Sequence, residues 1–183
     1  MRVLGISGSL RRGSHNTGLL RAAAELLPSG AELELFDLAD IPPYSEDEDG
    51  ERSPLEVRRL REAIASADAV LISTPEYNAS IPGVLKNAID WASRPFPGNS
   101  LSDKPVLVIG ASTGVFGAVW AQAELRKVLD HIGARVIESE LGVGQAADAF
   151  SHDGSLRDSS LSERLAEQLR SLLAVAELEP VAA

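Results

Sequence analysis

Short apolar runs alternate with longer stretches of helical spacing along this chain. Residues 3–7, 68–74 and 104–110 are nearly continuous in apolar character, which predicts buried strands. Residues 31–37 alternate apolar and polar positions as a half-buried or edge strand does, and 135–139 is a fifth candidate strand. Helical spacing predicts one helix after each strand, at 17–27, 53–66, 81–93, 116–132 and 160–177.

Local signals mark several helix ends. Ser53 stands before Pro54 and three residues before Glu56, which predicts a serine cap with proline in the first turn. Ser160 and Glu163 predict a second capping box, and the glycine at 133 predicts the stop of the fourth helix.

Five strand–helix units with continuous apolar strands favour a parallel sheet that is covered by helices on both faces. We therefore predict an α/β fold, a flavodoxin-like doubly wound five-stranded parallel sheet of order 2-1-3-4-5. No repeat or linker divides the chain, so we expect a single domain over 1–178 and a flexible tail at 179–183.

Composition narrows the classes of function. The chain has 183 residues, a net charge of −10 and no cysteine, which disfavours nucleic acid or an anionic membrane as partner and excludes thiolate chemistry. No apolar stretch approaches the roughly 18 residues that span a bilayer, and we expect a cytoplasmic protein. The acidic run 45–52 is interpreted as a solvated loop; a metal site is the minor alternative, because its spacing matches no known calcium loop.

In such a sheet, ligands bind at the carboxyl ends of the strands, where the strand order reverses. The loop after the first strand, 8–17, suits a terminal phosphate, because glycines expose backbone N–H groups and the next helix adds its positive end. Arg11 or Arg12 supplies a charged donor. The hydroxyl and amide donors of this loop are Ser9, Ser14, Asn16 and Thr17. The alternative is an ordinary turn in which Asn16 caps the helix.

Two further loops end at the same edge. Prolines bracket Glu76, Tyr77 and Asn78, which predicts a stiff wall for a planar ligand, although Ser80 is also a candidate helix cap. The third loop is built from small residues that allow close backbone approach; alternatively, Ser112 or Thr113 caps the fourth helix. No nucleophile elbow, paired carboxylates or metal-spaced histidines occur, so no catalytic side chain and no metal is predicted, and a cofactor would carry the chemistry.

Residues 8–16 and 75–91 resemble the NAD(P)H-dependent FMN reductases, a family of flavodoxin-like fold that includes chromate, quinone and azo-dye reductases. The resemblance implies FMN as cofactor, NADPH or NADH as donor, and a quinone, flavin, azo compound or metal oxyanion such as chromate as acceptor. It implies a phosphate site made by Ser9, Arg11, Ser14, Asn16 and Thr17. It further places Pro75, Glu76, Tyr77 and Asn78 beside the ring and ribityl chain, and Ser112, Thr113 and Gly114 at the other ring edge.

One departure from the family concerns the nicotinamide side. Many members have a Gly-Gly pair where this chain has Phe116 and Gly117, so the resemblance does not define the shape of the nicotinamide side. Tyr77 and Phe116 are candidates for positioning either substrate; burial under the fourth helix is the alternative for Phe116.

A wide apolar arc on the third helix and an apolar fourth helix predict a homodimer or homotetramer, which the resemblance also implies; a thick one-sided core is the alternative. Two other functions share this topology. A flavodoxin-type electron carrier without NAD(P)H activity is disfavoured by Arg11, Arg12 and the 4% aromatic content. A response regulator would need clustered acidic residues at the first and third strand ends, which are Ser-Gly-Ser and Thr-Pro here.

Overall fold

The computed structural model describes residues 1–178 and is built on a parallel sheet. The sheet order is β2-β1-β3-β4-β5, and a sixth short strand also pairs with β4. This order confirms the predicted flavodoxin-like fold; the predicted tail at 179–183 lies outside the described residues. The strands are β1 (Arg2–Ser7), β2 (Glu32–Phe36), β3 (Ala69–Thr74), β4 (Pro105–Ala111), β5 (Arg135–Val136) and β6 (Gly142–Val143).

Helices cover both faces of the sheet. The helices are α1 (His15–Leu26), α2 (Leu55–Ser66), α3 (Gly83–Ala92), α4 (Val119–His131) and α5 (Ser159–Glu177). Successive β3 residues point to opposite sides: Val70 packs with α2, α3 and α4, whereas Leu71 packs with α1 and α5. Because both faces of β3 and β4 are buried, every position of these strands is buried, which explains their continuous apolar runs.

The predicted fifth strand at 135–139 is wrong in detail, because the chain leaves the sheet after its first residues. The Ile137 N–H still donates to Val106 O at 2.9 Å, and then the Ser139 N–H turns back to Ile137 O at 2.8 Å. Arg126 on α4 donates to Ser139 O at 3.2 Å and holds this detour. The chain rejoins β4 at Leu141, whose carbonyl accepts from Gly110 N at 3.0 Å.

Two predicted serine caps are also wrong. Pro54 occupies the cap position of α2, and the Ser53 hydroxyl instead accepts from the Arg61 guanidinium at 3.1 Å. Asp158 caps α5, since its carboxylate accepts from the Ser160 N–H at 2.8 Å. The predicted stop of α4 is confirmed: Gly133 follows the helix with φ +91°, a conformation that glycine adopts freely.

The apolar arc of α3 is buried within the chain. Leu85, Ala88, Ile89 and Trp91 all lie in the core, and the Trp91 indole donates to Pro42 O at 2.8 Å. The arc therefore fills a one-sided core, and α3 provides no argument for assembly. The exposed apolar groups of α4 are different and are described below.

The acidic run forms two short 3₁₀ turns, 46–48 and 50–52, and most of its residues are exposed as predicted. Asp49 is half-buried, and its carboxylate accepts from Arg61 at 2.8 Å. Arg61 also donates to Trp91 O, so this ion pair ties the run to the end of α3. Within residues 1–178, no group of three or more His, Asp or Glu is placed to hold a metal ion.

Candidate active site

Three loops come together at the carboxyl edge of the sheet. They are the first loop (8–14, before α1), the second loop (75–82, before α3) and the third loop (112–118, before α4). The Gly8 N–H donates to Ser73 O at 2.9 Å, which ties the first loop to the end of β3. The strand order reverses between β1 and β3, so the loops lie at the switch point of the sheet.

Asn16 joins three elements at this edge. Its Oδ1 accepts from Ala111 N and from the Ser73 hydroxyl, both at 2.9 Å, and its Nδ2 donates to Ala111 O at 2.9 Å. It is not the helix cap, because Ser14 caps α1 by accepting from the Thr17 N–H at 3.3 Å. Because its amide is bound to β3 and β4, Asn16 presents its unpartnered backbone N–H to a ligand.

The first loop and the start of α1 present donors to an anion. Among residues 1–178, the backbone N–H groups at positions 12, 13, 15 and 16 have no hydrogen-bond partner. The Arg11 guanidinium lies over the loop, 3.9 Å from where a Cβ on Gly13 would stand. Burial and, secondly, the Arg11 charge lower the pKa of His15, which favours the neutral imidazole. The site thus combines free N–H groups, one guanidinium and a positive helix end.

The hydroxyls of the first loop are not equivalent. Ser9 Oγ accepts from the Arg11 N–H at 3.4 Å and Ser14 Oγ accepts from Thr17, so both can still donate a hydrogen to a ligand. Thr17 Oγ1 donates to Ser7 Oγ at 3.0 Å and must turn away from it to reach a ligand.

The second loop is a rigid hairpin. Tyr77 and Ser80 exchange two backbone hydrogen bonds of 3.0 and 3.1 Å, and Asn78 (φ 55°) and Ala79 (φ 59°) are both left-handed. Two consecutive left-handed residues make a type I′ turn, a stiff connection. The sequence offered Ser80 as a candidate cap of α3, but Pro82 occupies the cap position. Tyr77 is left 54% exposed at the edge.

Glu76 caps α4 from a distant position in the sequence. Its Oε2 accepts from the Trp120 N–H at 3.0 Å and from the Ala121 N–H at 3.1 Å. The alternative in which Ser112 or Thr113 caps this helix is therefore wrong, and the helix begins at Val119 rather than at the predicted 116. No local spacing in the sequence indicates a cap that lies 44 residues before the Trp120 N–H that it accepts from.

The third loop is shaped by close backbone packing. Gly117 (φ +61°) and Ala118 (φ +65°) are left-handed, and the Gln122 amide donates to Gly117 O at 3.0 Å. A Cβ on Gly117 would stand 2.6 Å from Val143 N, so only glycine fits there. The Ser112 N–H donates to Val143 O at 3.0 Å. Residues 142–144 were not predicted to lie at the site, although their Gly-x-Gly spacing is a usable signal.

The turn at Gly117 leaves two aromatic rings exposed. Phe116 is 63% exposed and Trp120 is 50% exposed, and their rings meet edge to face with 5.1 Å between centroids. Phe116 is therefore not buried under α4, which was the alternative reading of its sequence position.

A large cavity of about 990 Å³ lies elsewhere, between α1 and the segment 150–156. Ser14 of the first loop and His15 of α1 line it, and Phe150 stacks on His15 with 6.2 Å between ring centroids. No residue of the second or third loop lines it, so the cavity adjoins the edge only at the end of the first loop.

Comparison with known proteins identifies the family. The family model for NADPH-dependent FMN reductase matches residues 1–148. An NAD(P)H-dependent FMN reductase of Pseudomonas aeruginosa is 46% identical over 173 residues, 94% of this chain and 93% of that protein. A quinone reductase of Pseudomonas putida is 40% identical over 154 residues, 84% of this chain and 83% of that protein.

Solved structures agree with the sequence relatives. The structure of FerB, a flavoenzyme NAD(P)H:(acceptor) oxidoreductase from Paracoccus denitrificans, superposes with a TM-score of 0.87 and 39% identity, covering 96% of this chain and 97% of that one. The apo form of an NADH:FMN oxidoreductase, at 23% identity and a TM-score of 0.74 over 98% of this chain and 91% of that one, shares the fold. The family resemblance is confirmed, and the reductase is favoured over the electron carrier. The chain belongs to the NADPH-dependent FMN reductase family and is an oxidoreductase that uses FMN with a nicotinamide donor.

Proposed function

We propose that this protein passes electrons from NAD(P)H through bound FMN to a quinone. The observation that carries the proposal is the convergence of three loops on one open edge, with unpartnered N–H groups beside Arg11. When bound, FMN supplies hydride acceptance and electron donation, so the chain needs no acid–base pair of its own. Relatives named quinone reductase, from Pseudomonas putida and Escherichia coli, are 40% and 44% identical to this chain.

The first loop fits a phosphate monoester. Arg11 offers a charged donor, Ser9 and Ser14 offer hydroxyl hydrogens, and the start of α1 offers backbone N–H groups. Asn16 would contribute its backbone N–H, since its side chain holds the strand ends. Thr17 would contribute its hydroxyl after turning from Ser7.

The other two loops fit the edges of a flat ring. Pro75 is buried beneath the hairpin, and Glu76, Tyr77 and Asn78 would border the ring through backbone groups, because the Glu76 carboxylate is bound to α4. The opposite edge would be formed by Ser112, Thr113 and Gly114.

The exposed side chains at this edge favour a planar acceptor. Tyr77, Phe116 and Trp120 present aromatic surface, which stacks on a quinone or a flavin better than it holds a compact oxyanion. We propose quinones as the principal acceptors, with free flavin, azo compounds and chromate as further members of the accepted class. Tyr77 and Phe116 would position the substrates and transfer no proton.

Cofactor analysis and anaerobic spectroscopy test the proposal. The purified protein should be yellow and release FMN on heating, NADH or NADPH should bleach the flavin, and benzoquinone should restore its colour. Release of FAD, or failure to take up added FMN, would contradict the cofactor assignment. A flavin that stays oxidised with both nicotinamides would instead support an electron carrier.

We further propose that the protein is a homodimer or homotetramer. Val115, Phe116 and Trp120 lie together at the start of α4 and are at least half exposed. A second copy would cover the outer side of this surface, and the sides of the rings that face Tyr77 would stay free for the acceptor. Trp120→Arg should dissociate the assembly in light scattering, whereas Phe96→Arg, at an exposed apolar residue in the loop between α3 and β4, should not. Scattering that shows only a 19.4 kDa species before substitution would contradict the proposal.

Because NAD(P)H is supplied inside the cell, we also propose a cytoplasmic location.

A further inference from the structure

The Glu76 carboxylate makes a contact that FMN binding does not require. Both of its hydrogen bonds come from the first turn of α4, at Trp120 and Ala121, and both end on the same oxygen, Oε2. An acceptor at this point satisfies two of the N–H groups that a helix start leaves free. The residues before α4 do not do so, because Ala118, the residue at the cap position, has no polar side chain.

This contact joins the two aromatic parts of the site. On one side, Glu76 precedes the Tyr77–Ser80 hairpin, whose backbone bonds make it rigid. On the other side, Trp120 packs edge to face on Phe116. Behind them, the Gln122 amide holds Gly117 O, so the turn that carries Phe116 is fixed to the same helix. Glu76 is thus the direct hydrogen-bonded link between Tyr77 and the Phe116–Trp120 pair among the described residues.

We propose that Glu76 is a positioning residue that sets the gap between Tyr77 and the Phe116–Trp120 pair, and thereby the affinity for a planar acceptor. The inference rests on the proposed function, because it takes this edge as the place where the acceptor binds. In this proposal the Glu76 side chain holds α4 and so positions the acceptor. The backbone of Glu76 could contact the flavin independently of this role.

Geometry and charge can be separated at this position. Because one oxygen accepts both hydrogen bonds, the carbonyl of a glutamine can accept them as well, so Glu76→Gln should retain the link without the charge. Glu76→Ala removes the link. Glu124→Ala is the matched control, since Glu124 lies exposed on the same helix and has no hydrogen bond or ion pair within residues 1–178.

The test combines amide exchange in the apoprotein with steady-state kinetics of the FMN-loaded enzyme. Glu76→Ala should speed hydrogen exchange at the Trp120 and Ala121 amides, measured by NMR, and Glu76→Gln should restore most of the protection. In kinetics with benzoquinone, Glu76→Ala should raise KM about tenfold with kcat changed less than about twofold, as expected for a misplaced binding wall. Glu76→Gln and Glu124→Ala should both stay near the parent values.

The outcomes separate the two proposals. If the parent enzyme binds no FMN or is not reduced by NAD(P)H, the proposed function fails, while amide exchange still reports whether Glu76 holds α4. Unchanged exchange in Glu76→Ala, or a benzoquinone KM equal to that of Glu124→Ala, would overturn the positioning role. So would a Glu76→Gln variant as impaired as Glu76→Ala, or a Glu76→Ala variant that loses FMN and kcat together, because the residue would then act through charge or general stability.

Discussion

At the residue scale, Arg11 is the side chain whose charge should distinguish FMN from riboflavin. A charge-assisted hydrogen bond contributes about 1.5–3 kcal/mol, so Arg11→Ala should weaken FMN binding roughly 10- to 150-fold. Fluorescence titration of the apoprotein measures this. Riboflavin, which lacks the phosphate, should bind the variant as it binds the parent.

The neighbouring Arg12 supplies the matched control for Arg11. It carries the same charge and is equally exposed, so Arg12→Ala changes the net charge identically. We expect it to weaken FMN binding less than Arg11→Ala does. If Arg11→Ala lost affinity for FMN and riboflavin equally, Arg11 would be supporting the loop and not contacting the phosphate.

Asp49 should make the stability of the protein depend on pH. Burial raises the pKa of this carboxyl, but hydrogen bonds from Arg61, Gly50 and Ser53 together with the Arg61 charge outweigh it, and the net pKa is lowered. A group whose pKa is lower in the folded state stabilises that state above its unfolded pKa, about 3.9 for Asp. This stabilisation is lost as the pH falls through the folded pKa.

The expected measurement is urea unfolding of Asp49→Asn at several pH values. At pH 7 the variant should be less stable by about 1 kcal/mol, because the pair is only partly buried, and the difference should shrink below about pH 4. Asp47→Asn, an exposed residue of the same acidic run, should match the parent throughout. If the free energy of unfolding of Asp49→Asn were still lower than that of the parent by the same amount at pH 2.5, Asp49 would act by packing and not by its charge.

At the scale of elements, the third loop depends on the absence of a side chain at Gly117. Alanine there must adopt φ +61° and place its Cβ 2.6 Å from Val143 N and 2.7 Å from Gly142 Cα, and backbone atoms cannot move aside as a side-chain end can. The left-handed strain alone costs about 1–3 kcal/mol. Gly117→Ala should therefore lower the thermal midpoint of the apoprotein by several degrees.

Gly114, three residues earlier in the same loop, provides the control for Gly117. A Cβ on Gly114 would have its nearest neighbour at 3.5 Å, an ordinary contact with Ser112 Oγ. Gly114→Ala should leave the melting temperature of the apoprotein near that of the parent. Equal melting temperatures for the two variants would mean that the loop can leave β6 without loss of stability.

Some strands and helix ends could be predicted from the sequence, and others could not. β3 and β4 are buried on both faces, so their apolar runs are unambiguous, and the strand order follows from alternation with helices. The detour at 137–141 depends on Arg126, a residue of another element, and leaves no periodic signal. Ser53 carries a capping pattern but bonds to Arg61 instead, because a tertiary partner competes with the local one.

For the candidate site, the position of the loops could be predicted from the sequence, but the contacts of single side chains could not. The three loops were predictable, since the carboxyl ends of neighbouring parallel strands share one edge. The partners of individual side chains were not: the Asn16 amide joins β3 to β4, and the Glu76 carboxylate holds α4. Whether the remaining residues bind FMN stays a prediction.

At the scale of the whole molecule, the single edge where the loops meet predicts the kinetic mechanism. Nicotinamide and acceptor must both reach the ring, and among residues 1–178 the three loops surround one open edge at the switch point. The donor should therefore leave before the acceptor binds, so double-reciprocal plots for NADH at several quinone concentrations should be parallel.

The cavity between α1 and 150–156 is a candidate second binding place, because Ser14 of the first loop and His15 of α1 line it. The same kinetic experiment decides whether it takes part in the reaction. If that cavity held part of a dinucleotide while a quinone occupied the edge, the lines would intersect, and His152→Ala, at another residue that lines the cavity, would raise KM for NADH. Parallel lines together with an unchanged KM for NADH in that variant would exclude the cavity from the reaction and leave the exchange of the two substrates at one face.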